Sequence, residues 1–311
     1  MAINIKKKLS LTDQGFGTEA KVRPSRLVSA DGTFNVKHRN RSFAFSRGYH
    51  YLVSISWPKF FAYILSIYLG INLIFAFIYK FCGIEEITQT TGNFWGDLWN
   101  GFFFSAQTIT TVGYGGMAPQ GQLANWVSTF EAFLGLLFFS FITGLLYGRF
   151  SKPEASLKFS KSIIYRPFKK GNAIMFRLMN SMPTVMIRPK VTLTLALHEQ
   201  QEDGSFTLRY YPLTLQFDKV NFLPTTWTLV HEIEEESPFF EMDENDLKEM
   251  HAEFLIMVQY FDETFDQEVY QIHSYLSSDL QYGVKFIKAY YNDSSGSTVL
   301  DHNLLSAVEP V

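Results

Sequence analysis

The sequence predicts a membrane protein of mixed class, with two transmembrane helices, a re-entrant pore helix and loop between them, and a β-sandwich after them. Three observations predict it. Residues 60–79 form a twenty-residue run without a charge, about the length (roughly 20 residues) that crosses a hydrocarbon core. Residues 123–148 form a second apolar run, interrupted only by Glu131. After Pro153 the hydrophobic period changes from helical to alternating, the pattern of half-buried strands.

Taken in order, residues 1–46 are polar, with scattered Gly, Ser and Pro, and read as a mobile tail. Its Lys6-Lys7-Lys8 run suits a solvated end or a contact with anionic lipid. Over residues 47–57, Tyr49, Leu52, Val53 and Ile55 alternate loosely with Arg47, His50, Ser54 and Ser56. That pattern fits a short amphipathic helix in the membrane interface, or a plain juxtamembrane linker. Trp57 would anchor this segment, and Pro58 would open the first span of a membrane portion covering residues 58–152. Residues 1–59 hold eleven Lys or Arg against three acids, whereas residues 80–122 hold one Lys against three acids. Inner flanks are rich in Lys and Arg, so both termini are expected inside and the connecting loop outside. No apolar stretch followed by a cleavage site marks a secretory signal before the first span. Cys82 is the only cysteine, so no disulfide can form within one subunit, and a packed or lipid-facing thiol is expected.

Between the spans stand Phe94, Trp95 and Trp99, a short helix expected over residues 100–109, and then Thr111-Val112-Gly113-Tyr114-Gly115. Irregular backbone at membrane depth is tolerated only where protein buries it or where it lines a water-filled path. A potassium ion can shed its hydration shell there if main-chain carbonyls replace it. Gly113 and Gly115 can take the left-handed angles that aim successive carbonyls one way. Thr111 can add a hydroxyl oxygen, while Val112 and Tyr114 turn outward and brace the loop. The carboxyl end of the short helix would favour a cation in front of it. One chain supplies a quarter of such a ring, so a homotetramer is required. The alternative is a chance Gly-Tyr-Gly turn in a soluble protein, against which the flanking spans argue.

Residues 153–311 carry twenty-three acids and thirteen bases, which suits solubility or, around a four-fold axis, a cation-concentrating vestibule. Strands are expected over residues 157–164, 173–180, 191–197, 206–217, 227–233, 254–260 and 284–291. A hairpin turn is expected at Asp203-Gly204 and a short helix over residues 243–250. Such spacing suggests a sandwich rather than βαβ units.

Several stretches together resemble the inward-rectifier potassium channels, most closely their prokaryotic members. They are Ser56-Trp57-Pro58, the run from Phe104 to Gly115, Arg149-Phe150-Ser151-Lys152-Pro153, and Val230-His231-Glu232-Ile233-Glu234-Glu235-Glu236-Ser237-Pro238. Ser274-Tyr275 with Tyr282-Gly283 adds to the match, which covers residues 47–290. The resemblance implies a slide helix at 47–57, a filter of Thr111 to Gly115, and an immunoglobulin-like β-sandwich cytoplasmic domain over residues 153–311. It aligns Gly135 with a mid-helix hinge (or a site of close packing) and Tyr147 with a gate at the bundle crossing (or an interfacial anchor). The segment 260–266 aligns with a loop that pinches the cytoplasmic pore. Arg47, Trp57, Arg149 and Lys152 are implied contacts for anionic lipids, phosphoinositides included. Phe139 stands where strong rectifiers carry an acid, so polyamine block in the membrane cavity is expected to be weak. Polyamine or Mg2+ in the cytoplasmic vestibule remains an implied ligand. Gln107 and Met117 replace the ion pair that usually flanks the filter, leaving Glu131 as the candidate brace, or an ion site. The implied setting is a bacterial inner membrane, crossed more than once, with both termini cytoplasmic.

The expected function is passive potassium conduction with no cofactor other than the K+ ions themselves. A two-span channel gated by a nucleotide or calcium would call for a Gly-x-Gly-x-x-Gly turn, and the glycines after Pro153 are isolated. A membrane-anchored interaction module is the alternative of another class, and the intact five-residue loop counts against it. An enzyme is not expected: His231-Glu232 lacks the second His of a zinc helix, with Glu235 in its place. Nucleic acid is not an expected partner of an acidic β portion.

Overall fold

The computed structural model describes residues 19–20, 26–29, 32–37, 39, 45–153, 156–200, 204–242, 244–249 and 251–311. Lys6-Lys7-Lys8, Asp203, Asp243 and Met250 lie outside them. The chain divides into two compact units: one is Asn40–Lys152, and the other joins Pro153–Val311 to the N-terminal stretch ending at Arg39.

A two-residue strand β1 (Glu19–Ala20) comes first. The membrane unit then holds α1 (Phe45–Ser54), α2 (Trp57–Gly83), α3 (Phe94–Ile109) and α4 (Gln122–Phe150). Trp57 begins α2 rather than closing α1, because Ser56 is extended and Pro58 stands in the first helical turn, where a missing N–H costs nothing. Two helices, Trp57–Glu86 and Gln122–Phe150, are long and apolar enough to cross a membrane. The pore helix starts at Phe94 rather than Asn100, since the Asn93 side chain accepts from Trp95 N and caps it. Asp97 in its first turn accepts from Thr91 N at 2.7 Å and lies 3.5 Å from Lys80 Nζ, pinning the helix to the end of α2.

The second unit consists of β2 (Leu157–Phe159), β3 (Ile163–Phe168), β4 (Gly171–Asn180), β5 (Met186–Gln200), β6 (Phe206–Leu213), β7 (Thr226–Glu232), the short helix α5 (Glu244–Glu249), β8 (Ala252–Asp262) and β9 (Gln267–Leu276). It ends with β10 (Leu280–Tyr282), β11 (Val284–Phe286), β12 (Tyr290–Asn292), β13 (Thr298–Leu300) and β14 (Val308–Pro310). One five-stranded sheet runs β1-β6-β5-β8-β9; a second runs β10-β3-β4-β2, with β7 paired to β4. A shared apolar core lies between the sheets, drawing Phe176 and Leu178 from one and Leu195, Phe254, Ile256 and Val258 from the other.

Four further expectations need correction in detail. The run 157–164 is two strands, because Ser160 breaks the ladder to bond the Ser162 carbonyl and the buried Tyr275 hydroxyl. The run 284–291 splits likewise into β11 and β12. Residues 260–262 of the expected pinching loop belong to β8, and the turn after them is tied by Asp262, whose carboxylate accepts from Thr264 N and Phe265 N. Finally, the described stretch 26–36 is no free tail. Val28 is buried, the Glu253 carboxylate accepts from Leu27 N (2.7 Å) and Val28 N (3.0 Å), and Ser274 donates to Val28 O.

Candidate ion-conduction site

Every second residue of the loop is left-handed: Thr111 has φ 60°, Gly113 52° and Gly115 81°. A chain that alternates left- and right-handed residues turns successive carbonyls to one side, which neither helix nor strand can do. Thr111 is a β-branched residue in this region, a conformation that costs about 1–3 kcal/mol and persists only where its surroundings impose it. The imposing contact is the end of α3. Thr111 N donates to Thr108 O (3.1 Å), and the Gln107 carbonyl accepts from both Val112 N (3.0 Å) and Gly113 N (3.4 Å). Gln107 therefore serves the loop through its backbone, a role its side-chain identity does not announce. On one subunit Val112 is exposed and Tyr114 is 82% exposed.

Behind α3, Glu131 is fully buried on α4. Its carboxylate accepts from the Tyr79 hydroxyl of α2 at 2.5 Å and from the Ser105 hydroxyl of α3. Asn72 Oδ1 lies 3.0 Å from Ser105 Oγ. The carboxylate thus joins three helices. Gly135, one turn further along, stands against the end of α3: a Cβ there would overlap Ile109 O and come within 3.1 Å of Ile109 Cα. α4 runs unbroken through this position, so close packing is the feature visible at Gly135.

At the other end of α4, Tyr147 is 74% exposed. Beside it, Arg149 reaches α1, donating from Nη1 to Leu52 O (2.5 Å) and from Nη2 to Ile55 O (2.7 Å). Its guanidinium also lies over the rings of Trp57 (4.4 Å) and Phe60 (4.6 Å). α1 has no basic residue in its own last turn, so Arg149 supplies the cation that a helix C-terminus favours. Tyr49 of α1 packs on Gly148, where a Cβ would overlap its hydroxyl. Arg149 is thereby engaged with both Trp57 and α1. Lys152 is exposed, and Arg47 falls in the first turn of α1. Each charge-assisted hydrogen bond lost costs about 1.5–3 kcal/mol. In Arg149→Gln, amide exchange across residues 45–54 is therefore expected to accelerate about tenfold or more. Mass spectrometry of exchanged peptides checks this; unchanged exchange would show that α1 is held by other contacts.

In the second unit, the acidic motif around His231 is a structural staple. The buried ring bonds the Thr214 carbonyl through Nδ1 (2.7 Å) and Ser237 Oγ through Nε2 (2.9 Å). Burial holds its pKa below the usual imidazole range. Among the described residues no group of three His, Cys, Asp or Glu is placed to hold a metal ion. Tyr275 and Gly283, two further positions of the resemblance, are structural as well. The Tyr275 hydroxyl donates to Ser160 O at 2.7 Å, and Gly283 turns the chain at φ 65°.

Comparison with known proteins agrees with this architecture. Residues 157–311 match the family model of the inward rectifier potassium channel C-terminal domain, and residues 48–152 match that of an ion channel. The inward rectifier potassium channel Kirbac3.1 of Paramagnetospirillum magnetotacticum is 32% identical over 290 residues, which cover 92% of this chain and 96% of that one. The G protein-activated inward rectifier potassium channel 4 of Mus musculus is 24% identical over 294 residues, covering 86% of this chain and 69% of its own. The chain belongs to the inward-rectifier potassium channel family, as a passive membrane channel and not an enzyme.

Proposed function

We propose that four copies of this chain bring Thr111, Val112, Gly113, Tyr114 and Gly115 around one axis, where their carbonyls and the Thr111 hydroxyl replace the hydration shell of K+. The alternation of left-handed residues at 111, 113 and 115 carries this reading. It is a conformation with no packing purpose inside one subunit, since a Cβ at Gly113 or Gly115 would meet nothing within 4 Å. Neighbouring subunits would then cover Val112 and Tyr114. Closely spaced sites let ions push one another through.

In this reading Tyr147 closes the inner mouth when four rings converge, and Arg149 transmits the position of α1 to the neighbouring residue. Anionic headgroups, phosphoinositides included, act on Lys152 and Arg47, and through α1 on the gate. Phe139 leaves the membrane cavity without an acid, so rectification by polyamine or Mg2+ is weak and confined to the acidic cytoplasmic vestibule. In this reading both termini lie in the cytoplasm, supported by the basic flanks, and the protein in a bacterial inner membrane, supported by its similarity to the channel of Paramagnetospirillum magnetotacticum. In liposomes containing anionic lipid, the purified protein is expected to pass K+ with barium block and to leave Na+ flux at background. Tyr147→Ala is expected to raise resting flux. Equal passage of Na+ would overturn the carbonyl ring, and an unchanged resting flux would remove Tyr147 as the gate.

A further inference from the structure

The residues that leave the filter run back over the outer end of α2. Gln120 N donates to Glu86 O at 2.7 Å, and Ala118 N donates to Ile87 O at 3.2 Å. Ile84 and Ile87 are buried in a cluster with Phe75, Tyr79 and Phe104, and Met117 packs against it. The exit segment is thus tied at two backbone points to a turn that is itself anchored in the apolar interior.

The Glu86 side chain adds a third tie of another kind. Its Oε2 is buried without a hydrogen-bond partner among the described residues, an arrangement that is costly for a carboxylate unless something offsets it. What lies against it is Gly121, where a Cβ would overlap both carboxylate oxygens. Gly121 is the N-cap of α4, a 29-residue helix with no side-chain cap bond and no acid in its first turn. The first amides of a helix lack intrahelical acceptors, and its amino end favours negative charge. The carboxylate of Glu86 and the bare start of α4 therefore compensate one another, and glycine at 121 is what lets them meet.

We infer that Glu86 is a positioning residue for ion selection, fixing the outer end of the filter by holding the exit segment against the start of α4. The inner end hangs from the Gln107 carbonyl; the outer end hangs from Glu86 and Ile87. This assignment rests on the filter reading above. It also supplies a brace at the outer mouth, where Met117 cannot pair with a charge.

The test uses the full-length tetramer in liposomes, with the K+ to Na+ flux ratio and the time course of K+ flux as readouts and sizing chromatography as the control for assembly. Glu86→Ala is expected to lower the flux ratio severalfold, the scale of one charge lost from a helix amino end, while tetramers persist. Glu86→Gln keeps the volume, removes the charge, and is expected to fall between the two. Gly121→Ala is expected to match Glu86→Ala, and the double variant to be no worse than either, because both remove one contact. If Glu86→Ala fails to assemble, Glu86→Gln decides. A wild-type flux ratio and time course in assembled Glu86→Gln and Glu86→Ala would overturn the assignment and leave the filter reading standing. A wild-type channel that passes Na+ as readily as K+ would overturn both.

Discussion

Gly113→Ala is expected to abolish potassium flux while leaving the protein tetrameric. The residue has φ 52°, and a Cβ built on it meets no atom within 4 Å of the same subunit. The damage is therefore conformational rather than a clash within the chain. An L-residue held left-handed costs roughly 1–2 kcal/mol, and four subunits carry that cost together around one axis. The cheapest relief is for the backbone to return to negative φ. That rotation swings the adjoining peptide planes and turns a carbonyl out of the line of alternate residues 111, 113 and 115. A ring with a missing oxygen layer leaves the ion partly dehydrated without compensation, so conduction stops rather than slowing in proportion. Gly113 is tied to α3 through its N–H to Gln107 O, a donor that alanine also carries, so assembly is expected to persist. Potassium efflux from liposomes and sizing chromatography check the two halves; undiminished selective flux would refute the carbonyl account.

What could be read from the residues, and what could not, divides along the range of the interactions involved. The second span was legible to within two residues and the first to within four, because a long uncharged run reports its own burial. Asn93 and Asp97 mark the true start of the pore helix, and that local signal was readable but was masked by the aromatics Phe94, Trp95 and Trp99. β9 escaped because its residues do not alternate cleanly: His273 stacks face to face on Phe159 at 4.4 Å, so a polar ring points inward where the pattern would ask for an aliphatic. Long-range partners were beyond local reading. Nothing around Val28 announces the Glu253 carboxylate that receives its N–H. The resemblance implies a headgroup contact at Arg149, and the Leu52 and Ile55 carbonyls that its guanidinium engages lie more than ninety residues earlier. Glycines at 113 and 115 signalled positive φ, whereas Thr111 adopts it only because the end of α3 dictates the path. The left-handed alternation of the loop was thus legible at its glycines, and the contacts behind it only in the folded structure.

Among those supports Glu131 is expected to show the second large effect. Glu131→Ala removes a fully buried acceptor shared by Tyr79 and Ser105. The Tyr79 hydroxyl then stands in an apolar interior without its acceptor, at about 1–3 kcal/mol, while Ser105 keeps Asn72 Oδ1, and a cavity adds to the cost. Since α2, α3 and α4 meet at this carboxylate, the pore helix loses its lateral hold. Tetramer melting in detergent is expected to fall markedly, and K+ selectivity with it. A second substitution set separates bracing from direct ion binding. Replacing both sides of a buried polar contact by apolar groups can be nearly neutral, whereas removing one side is not. Combining Glu131→Leu with Tyr79→Phe and Ser105→Ala is therefore expected to recover most of the melting temperature and selectivity lost in Glu131→Ala. If the carboxylate instead held an ion, the triple variant would melt normally and still conduct poorly. Recovery of stability without recovery of selective flux would thus reassign Glu131 from the frame of the pore to the path of the ion.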